Sequence, residues 1–270
     1  MKSQVKSVKI MRVGRDFSHF SFLGVTILLA SNSYVCIEKH GPLLEASTIV
    51  VVFCMIVPCC AIMCKEVYTM ADDIKEQRRE EAEALANNSE GVSEMIACLE
   101  GASRRERQHA ASVLALVATY NPEILVTHIP AFIDALNRPE SQTRWECLDV
   151  LTTLVPLDSR SCEKAIPEAE GALFDEGTGP LHLAALRFLC RIGSTTVARS
   201  LKVWPSIDEA IQCYHGDFEY QEMLSAVASF AEGNVDESAK EELKARVSFD
   251  AQNGKGSLKK ASQHILDILS

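Results

Sequence analysis

Chemistry in a chain needs side chains that ligate, attack or carry protons, and here such residues are mostly scattered. Four cysteines, Cys54, Cys59, Cys60 and Cys64, crowd into one apolar run with a spacing that superficially suggests a metal cluster. No histidine or acid joins them, and cysteine is a common small residue of buried helices, so no metal site or other cofactor is expected. Five more cysteines, Cys98, Cys147, Cys162, Cys190 and Cys213, stand singly at mostly apolar-face positions, which is the usage of reduced thiols and not of a disulfide framework. The sequence holds no Gly-rich phosphate loop, nucleophile elbow or His/Asp/Ser constellation. The acids do form a pattern. Glu170 and Asp208 fall 37 and 75 residues after Ile133, and Glu209 falls 75 after Asp134. On helices lining a concave face, Asp134, Glu170, Asp208 and Glu209 would make an acidic ridge suited to a Lys/Arg-bearing protein segment. The same residues also fit an ordinary solvated helix face.

The elements that must position them are set by a repeat. Ile129-Pro130 returns as Ile166-Pro167 and, with the apolar partner changed, as Trp204-Pro205, at spacings of 37 and 38. One ladder of apolar sets runs Val113-Leu114-Val117, Val150-Leu151-Leu154, Phe188-Leu189-Ile192, Val227-Ala228-Ala231 and Ile265-Leu266-Leu269. Each set places residues at i, i+1 and i+4, one face of a helix. A second ladder, with the same period, runs through Ile96 and Leu99, then Phe132, Ile133 and Leu136, then Ala169 and Leu173, then Ile207 and Ile211. Two ladders with one period predict a two-helix hairpin that must stack on its neighbours to bury its face. The prolines belong in the first turn of a helix, where a missing N–H costs least, or bend the helix if a turn precedes them. Gly, Pro, Asn and Asp cluster at Asn137–Glu140, Asp175–Pro180 and His215–Asp217, which predicts short turns. Trp204 stands where Ile129 and Ile166 stand and is expected in the core. Trp145 is equivalent to Gln108, His182 and Gln221, so it is the exposed aromatic and a candidate partner-binding residue.

At this point the chain resembles the HEAT-repeat family over residues 90–270. The resemblance implies an all-α, α-α superhelix (HEAT/ARM-like solenoid) of about five helical hairpins, with the helices opened by the apolar-Pro motif lining the concave face. The Asp and Arg that many such repeats share are not regular here, although Arg107 and Arg144 occupy equivalent positions. Some proteins of this fold are enzymes. A metal-dependent hydroxylase would need His-Glu dipeptides, yet His109, His128, His182, His215 and His264 precede Ala, Ile, Leu, Gly and Ile. A tetrapyrrole lyase of the short-repeat type is the surviving enzymatic alternative. A non-enzymatic interaction scaffold or adaptor is the reading preferred.

Charge divides the chain. The formal net charge of -10 is the sum of +3 over residues 1–69 (7 Lys/Arg, 4 Asp/Glu) and -13 over residues 70–270 (20 and 33). Such an acidic unit repels nucleic acid. Residues 1–69 contain two uncharged runs, Phe17 to Ile37 and Ala46 to Cys64. The second, with 19 residues, approaches the roughly 20 that cross a bilayer as a helix. Together they predict a membrane hairpin or single span through residues 17–64, with basic flanks placing both ends, and hence the repeat domain, on the cytoplasmic face. Two alternatives stand beside it: upstream sequence translated ahead of a start at Met70, which would leave a cytoplasmic repeat protein, or a buried soluble segment. Residues 70–89 are densely charged and predict a solvated linker helix.

Overall fold

The computed structural model describes residues 11–12, 17–22, 25–30, 35–39 and 73–270. The chain divides into two compact units, Met1–Met70 and Ala71–Ser270.

In the first unit the described residues form four antiparallel strands, β1 (Met11–Arg12), β2 (Phe17–Phe22), β3 (Val25–Ala30) and β4 (Val35–Lys39), in the order β1-β2-β3-β4. Phe17 pairs with Ala30 and Val25 with Lys39. This corrects the transmembrane helix expected over Phe17 to Ile37. The physical reason is local: β2 reads Phe-Ser-His-Phe-Ser-Phe, three aromatic residues among polar ones, and β3 opens on β-branched Val25, Thr26 and Ile27, both compositions that favour strands. The second run, Ala46 to Cys64, lies outside the described residues. Among the described residues no helix is long and apolar enough to cross a membrane.

In the second unit every described element is helical. A helix over residues 73–85, α1, leads into α2 (Ser89–Glu100), α3 (Arg104–Tyr120), α4 (Ile129–Ala135), α5 (Ser141–Leu154), α6 (Ser159–Cys162), α7 (Ile166–Leu173), α8 (Gly179–Gly193), α9 (Val197–Cys213), α10 (Tyr220–Ala231), α11 (Glu237–Asn253) and α12 (Gly256–Ile268). The polar loops start the helices by capping them. Asn88 Oδ1 accepts from Gly91 N (3.1 Å), Asp158 Oδ1 from Ser161 N (3.0 Å), Thr196 Oγ1 from Arg199 N (3.3 Å) and Asp236 Oδ1 from Ser238 N (2.9 Å). Gly216, at φ +92°, makes the turn between α9 and α10.

The prolines take both of their permitted places. Pro130 and Pro167 sit in the first turn of α4 and α7, each entered from a 3-10 turn, whereas Pro205 lies inside α9, preceded by two turns of helix. Every member of the first apolar ladder except Leu266 is buried, as is every member of the second except Ile133. One core therefore runs from Ala82 to Leu269. Helix α1 is solvated over most of its surface, as its charge predicts, but Ala82 and Leu85 join that core. Trp204 is 6 % exposed, lies parallel to Phe230 at 6.3 Å, and donates Nε1 to Glu242 Oε2 at 2.6 Å.

The two rows of helices are not equally spaced. Successive members of the row α3, α5, α8, α10, α12 pack along their lengths, while α9 and α11, at 17 residues each among the longest helices, touch only sparingly. Helix length is therefore not the cause. The row α3, α5, α8, α10 and α12 is the more closely packed of the two.

Candidate functional site

Polar bonds between repeats recur at about one period. Arg107 on α3 donates Nη1 to the carbonyls of Gly101 (2.6 Å) and Ala102 (2.9 Å), Nε to Glu140 Oε2 (3.2 Å) and Nη2 to Glu140 Oε1. One buried guanidinium thus ties the α2–α3 turn to the start of α5, and beside it the Glu140 carboxyl titrates below its ordinary range. Arg144, one period on, pairs with Asp175 Oδ2 at 2.6 Å. These are the two arginines that match the HEAT position.

The predicted acids divide between two conditions. Asp208 on α9 is held by Arg246 from α11 through two bonds (2.7 and 2.9 Å) and by Gln212 Nε2 (2.9 Å). Glu170 on α7 accepts from Ser206 Oγ of α9 at 2.8 Å. Asp134 and Glu209 are exposed on α4 and α9. All four acids stand on the wider-spaced row. Trp145 stands on α5, in the closer row, so the structure does not bring it together with them.

What surrounds Trp145 is a recess of about 410 Å³ lined by Arg104 and Gln108 of α3, Glu140 and Gln142 at the start of α5, and Thr178 before α8. A second recess of about 400 Å³ lies between α5, α8 and α10, lined by Thr152, Arg187, Arg191, Ser194, Ser225 and Ser229 among others. A third, of about 340 Å³, shares Arg191, Ser194 and Ser229 with it. Gln142, Trp145, Asp149 and Thr152 follow one another at helical spacing on α5, so the first two recesses open along one face of that helix, the groove face.

Polar links cross this groove. Gln142 Nε2 donates to Ser112 Oγ (3.1 Å), Ser112 Oγ donates to Glu146 Oε1 (3.0 Å), and Arg187 pairs with Glu222. Asp149 accepts no side-chain bond here, and burial pushes its carboxyl up to about 6 although Arg187 draws it down. The half-exposed Trp145 finds no partner for its indole N–H among the described residues. The thiols offer no nucleophile in the interior: burial pushes Cys162 up to about 12 and raises Cys147 and Cys190 further. Among the described residues no three His, Cys, Asp or Glu side chains converge to hold a metal ion.

Of the residues that line these recesses, Trp145 was singled out from the sequence, whereas Gln108, Arg187, Arg191, Ser225 and Ser229 were not. Their only signal was the spacing of four residues between Arg104 and Gln108, Arg187 and Arg191, and Ser225 and Ser229, on faces away from the apolar ladder.

Solved structures share this architecture. A designed armadillo repeat protein in complex with the peptide (KR)4 superposes with a TM-score of 0.57 at 14% identity, covering 74% of this chain and 94% of its own. An engineered protein gives 0.57 at 15% identity, covering 72% and 89%. Kap121p bound to Nup53p gives 0.53 at 17% identity, covering 66% of this chain but only 19% of that one. No protein-family model matches the chain. No curated protein matches it either. At these identities the likeness establishes the fold, an armadillo/HEAT-like α-solenoid.

Proposed function

We propose that the chain is a non-enzymatic protein-interaction scaffold that holds an extended polypeptide segment in the groove along α3, α5, α8 and α10. The observation that carries this reading is Trp145, a partly buried indole that packs against the core at a recess and has no partner for its N–H among the described residues, which is a form an interface anchor takes. Two of the similar structures bind polypeptides, a (KR)4 peptide in one and Nup53p in the other. A basic stretch of the same segment would suit the acidic charge of the unit, through Asp134 and Glu209 on the opposite row.

Photo-crosslinking separates the two faces. A benzophenone amino acid placed at Gln108, Trp145 or Ser225 should capture one and the same polypeptide in cells, while the same group at Asp134 or Glu209 should not. Capture only from the latter pair would move the site to the acidic ridge and sink the groove.

The proposal includes a place in the cell. The apolar run Ala46 to Cys64 supports attachment to a membrane with the repeat unit on its cytoplasmic face. The full chain is then expected in the carbonate-resistant membrane pellet, and recovery in the soluble fraction would refute the anchor.

A further inference from the structure

The net charge of the unit points to basic partners, but the charges that line the groove are not those that set the net charge. Glu140 is committed to Arg107, Glu146 accepts from Ser112, and Glu222 is paired with Arg187. Asp149 faces Arg187 of α8 and Glu146 of its own helix in a setting that disfavours its ionised form. Against these engaged acids stands Arg191, one helical turn beyond Arg187 on α8, exposed, lining two adjoining recesses and without a partner among the described residues. Four hydroxyl side chains line the same recesses. Thr152 donates to Leu148 O (2.7 Å), Ser194 to Arg191 O (2.9 Å), Ser225 to Gln221 O (3.2 Å) and Ser229 to Ser225 O (3.3 Å). The last two are long bonds of freely turning hydroxyls, readily exchanged for a better acceptor in the groove.

From this arrangement we infer that the recess between α5, α8 and α10 binds an anionic oxygen group, a carboxylate or a phosphoryl group, carried by the partner segment and recognised by Arg191 with Ser225 and Ser229. The inference rests on the proposed function and names the chemistry of its ligand at one position. The Arg187–Glu222 pair already displays the contact within the protein, a guanidinium of α8 holding a carboxylate at the groove wall. Arg191 repeats the donor one turn along and has no such acid. The opposing charges that line the same recesses are Glu222, which is paired with Arg187, and the exposed Glu232. The surplus negative charge elsewhere acts weakly on this contact, because exposed charges beyond roughly 8 Å are screened at physiological ionic strength.

The test needs no knowledge of the natural partner. Three peptides built only of Gly, Ala and Ser, identical except for a central phosphoserine, glutamate or serine, are titrated calorimetrically into the full chain. The phosphoserine peptide should bind, the serine peptide should not, and Arg191→Gln should weaken binding by about tenfold or more. Arg191→Lys should retain part of the affinity, and Ser225→Ala with Ser229→Ala should reduce it, with the melting temperature of each variant unchanged. Binding by the glutamate peptide as well assigns the site to acidic side chains in general; binding by phosphoserine alone assigns it to a phosphorylated segment. Equal behaviour of the three peptides, or indifference to Arg191→Gln, overturns the inference. A scaffold that fails the crosslinking test yet binds the phosphoserine peptide through Arg191 would retain the anion site and lose the proposed function, so the two are separable.

Discussion

Phe188→Ala should cost about 3–5 kcal/mol of unfolding free energy, the usual range for removing a fully buried phenylalanine. Phe188 is 0 % exposed on α8, the helix that packs against α5, α7, α9 and α10. Its loss opens a cavity where both rows and three successive repeats meet. For a unit of this size each kcal/mol is worth roughly 2–4 °C, so the helical signal should melt about 10 °C lower. The shape of the transition carries a second reading. Each repeat is stabilised by its neighbours, so weakening the central one uncouples the two ends and should broaden the melt. Phe218→Ala serves as the control, because Phe218 is 90 % exposed in the α9–α10 turn and should shift stability by no more than about 0.5 kcal/mol. Circular dichroism on heating or in urea measures both. An unchanged midpoint in Phe188→Ala would mean that α8 is not the centre of the core.

Asp149→Asn should stabilise the protein at pH 7 and hardly at all at pH 4. Burial raises the Asp149 carboxyl from 3.8 to about 6, so the folded state holds a proton there that the unfolded chain has released. The stability associated with that proton is complete below the unfolded value and is lost as pH rises through about 6. At pH 7 the folded protein must carry the charge, at a cost of up to about 3 kcal/mol for a shift of about two pH units. The side chain is only half-buried, so the figure is a ceiling. Asparagine keeps the shape without the charge. Glu140 and Glu163 act in the opposite sense: arginine partners hold their carboxyls low, and the stability they contribute is lost on acidification. Wild type and variant share those groups, so the difference between their melting temperatures isolates Asp149. A gain of equal size at both pH values, or a loss at pH 7, would show that the carboxylate is not desolvated in the fold.

The repeat was legible because burial writes itself into the sequence. Ile129, Ile166 and Trp204 are interchangeable as apolar residues ahead of a proline, and all three are buried. Which of the two rows packs more closely was not legible. Both ladders advance by the same 37 to 39 residues, and only the spacing of the helices in three dimensions, close between α8 and α10 and wide between α9 and α11, separates one row from the other. The strands β2–β4 were missed for a different reason. Freedom from charge is shared by membrane helices and apolar strands, and the aromatic residues of β2 and the β-branched start of β3 are what favour the strand.

The groove shows the same limit. Trp145 stood out because its equivalents Gln108, His182 and Gln221 are polar. Arg191, Ser225 and Ser229 did not, since each reads as part of a solvated helix face and they line one recess only when α8 and α10 are side by side. The acids were legible in register but not in function. Arg246 lies 38 residues beyond Asp208 and Ser206 lies 36 beyond Glu170, so a search for complementary partners one period away would have shown two of them to be clamps between repeats.

Those clamps have a mechanical consequence. Among the described residues no side-chain hydrogen bond spans more than 41 residues, so each repeat is tied to its neighbours alone. Tension on the two ends therefore meets one junction after another, and the stack deforms as springs in series. The stiff springs are the tightly packed contacts of α5, α8 and α10 that floor the groove, and the soft ones lie between α9 and α11 on the opposite side. Flexing the stack accordingly separates α9 from α11 more than it separates α5, α8 and α10.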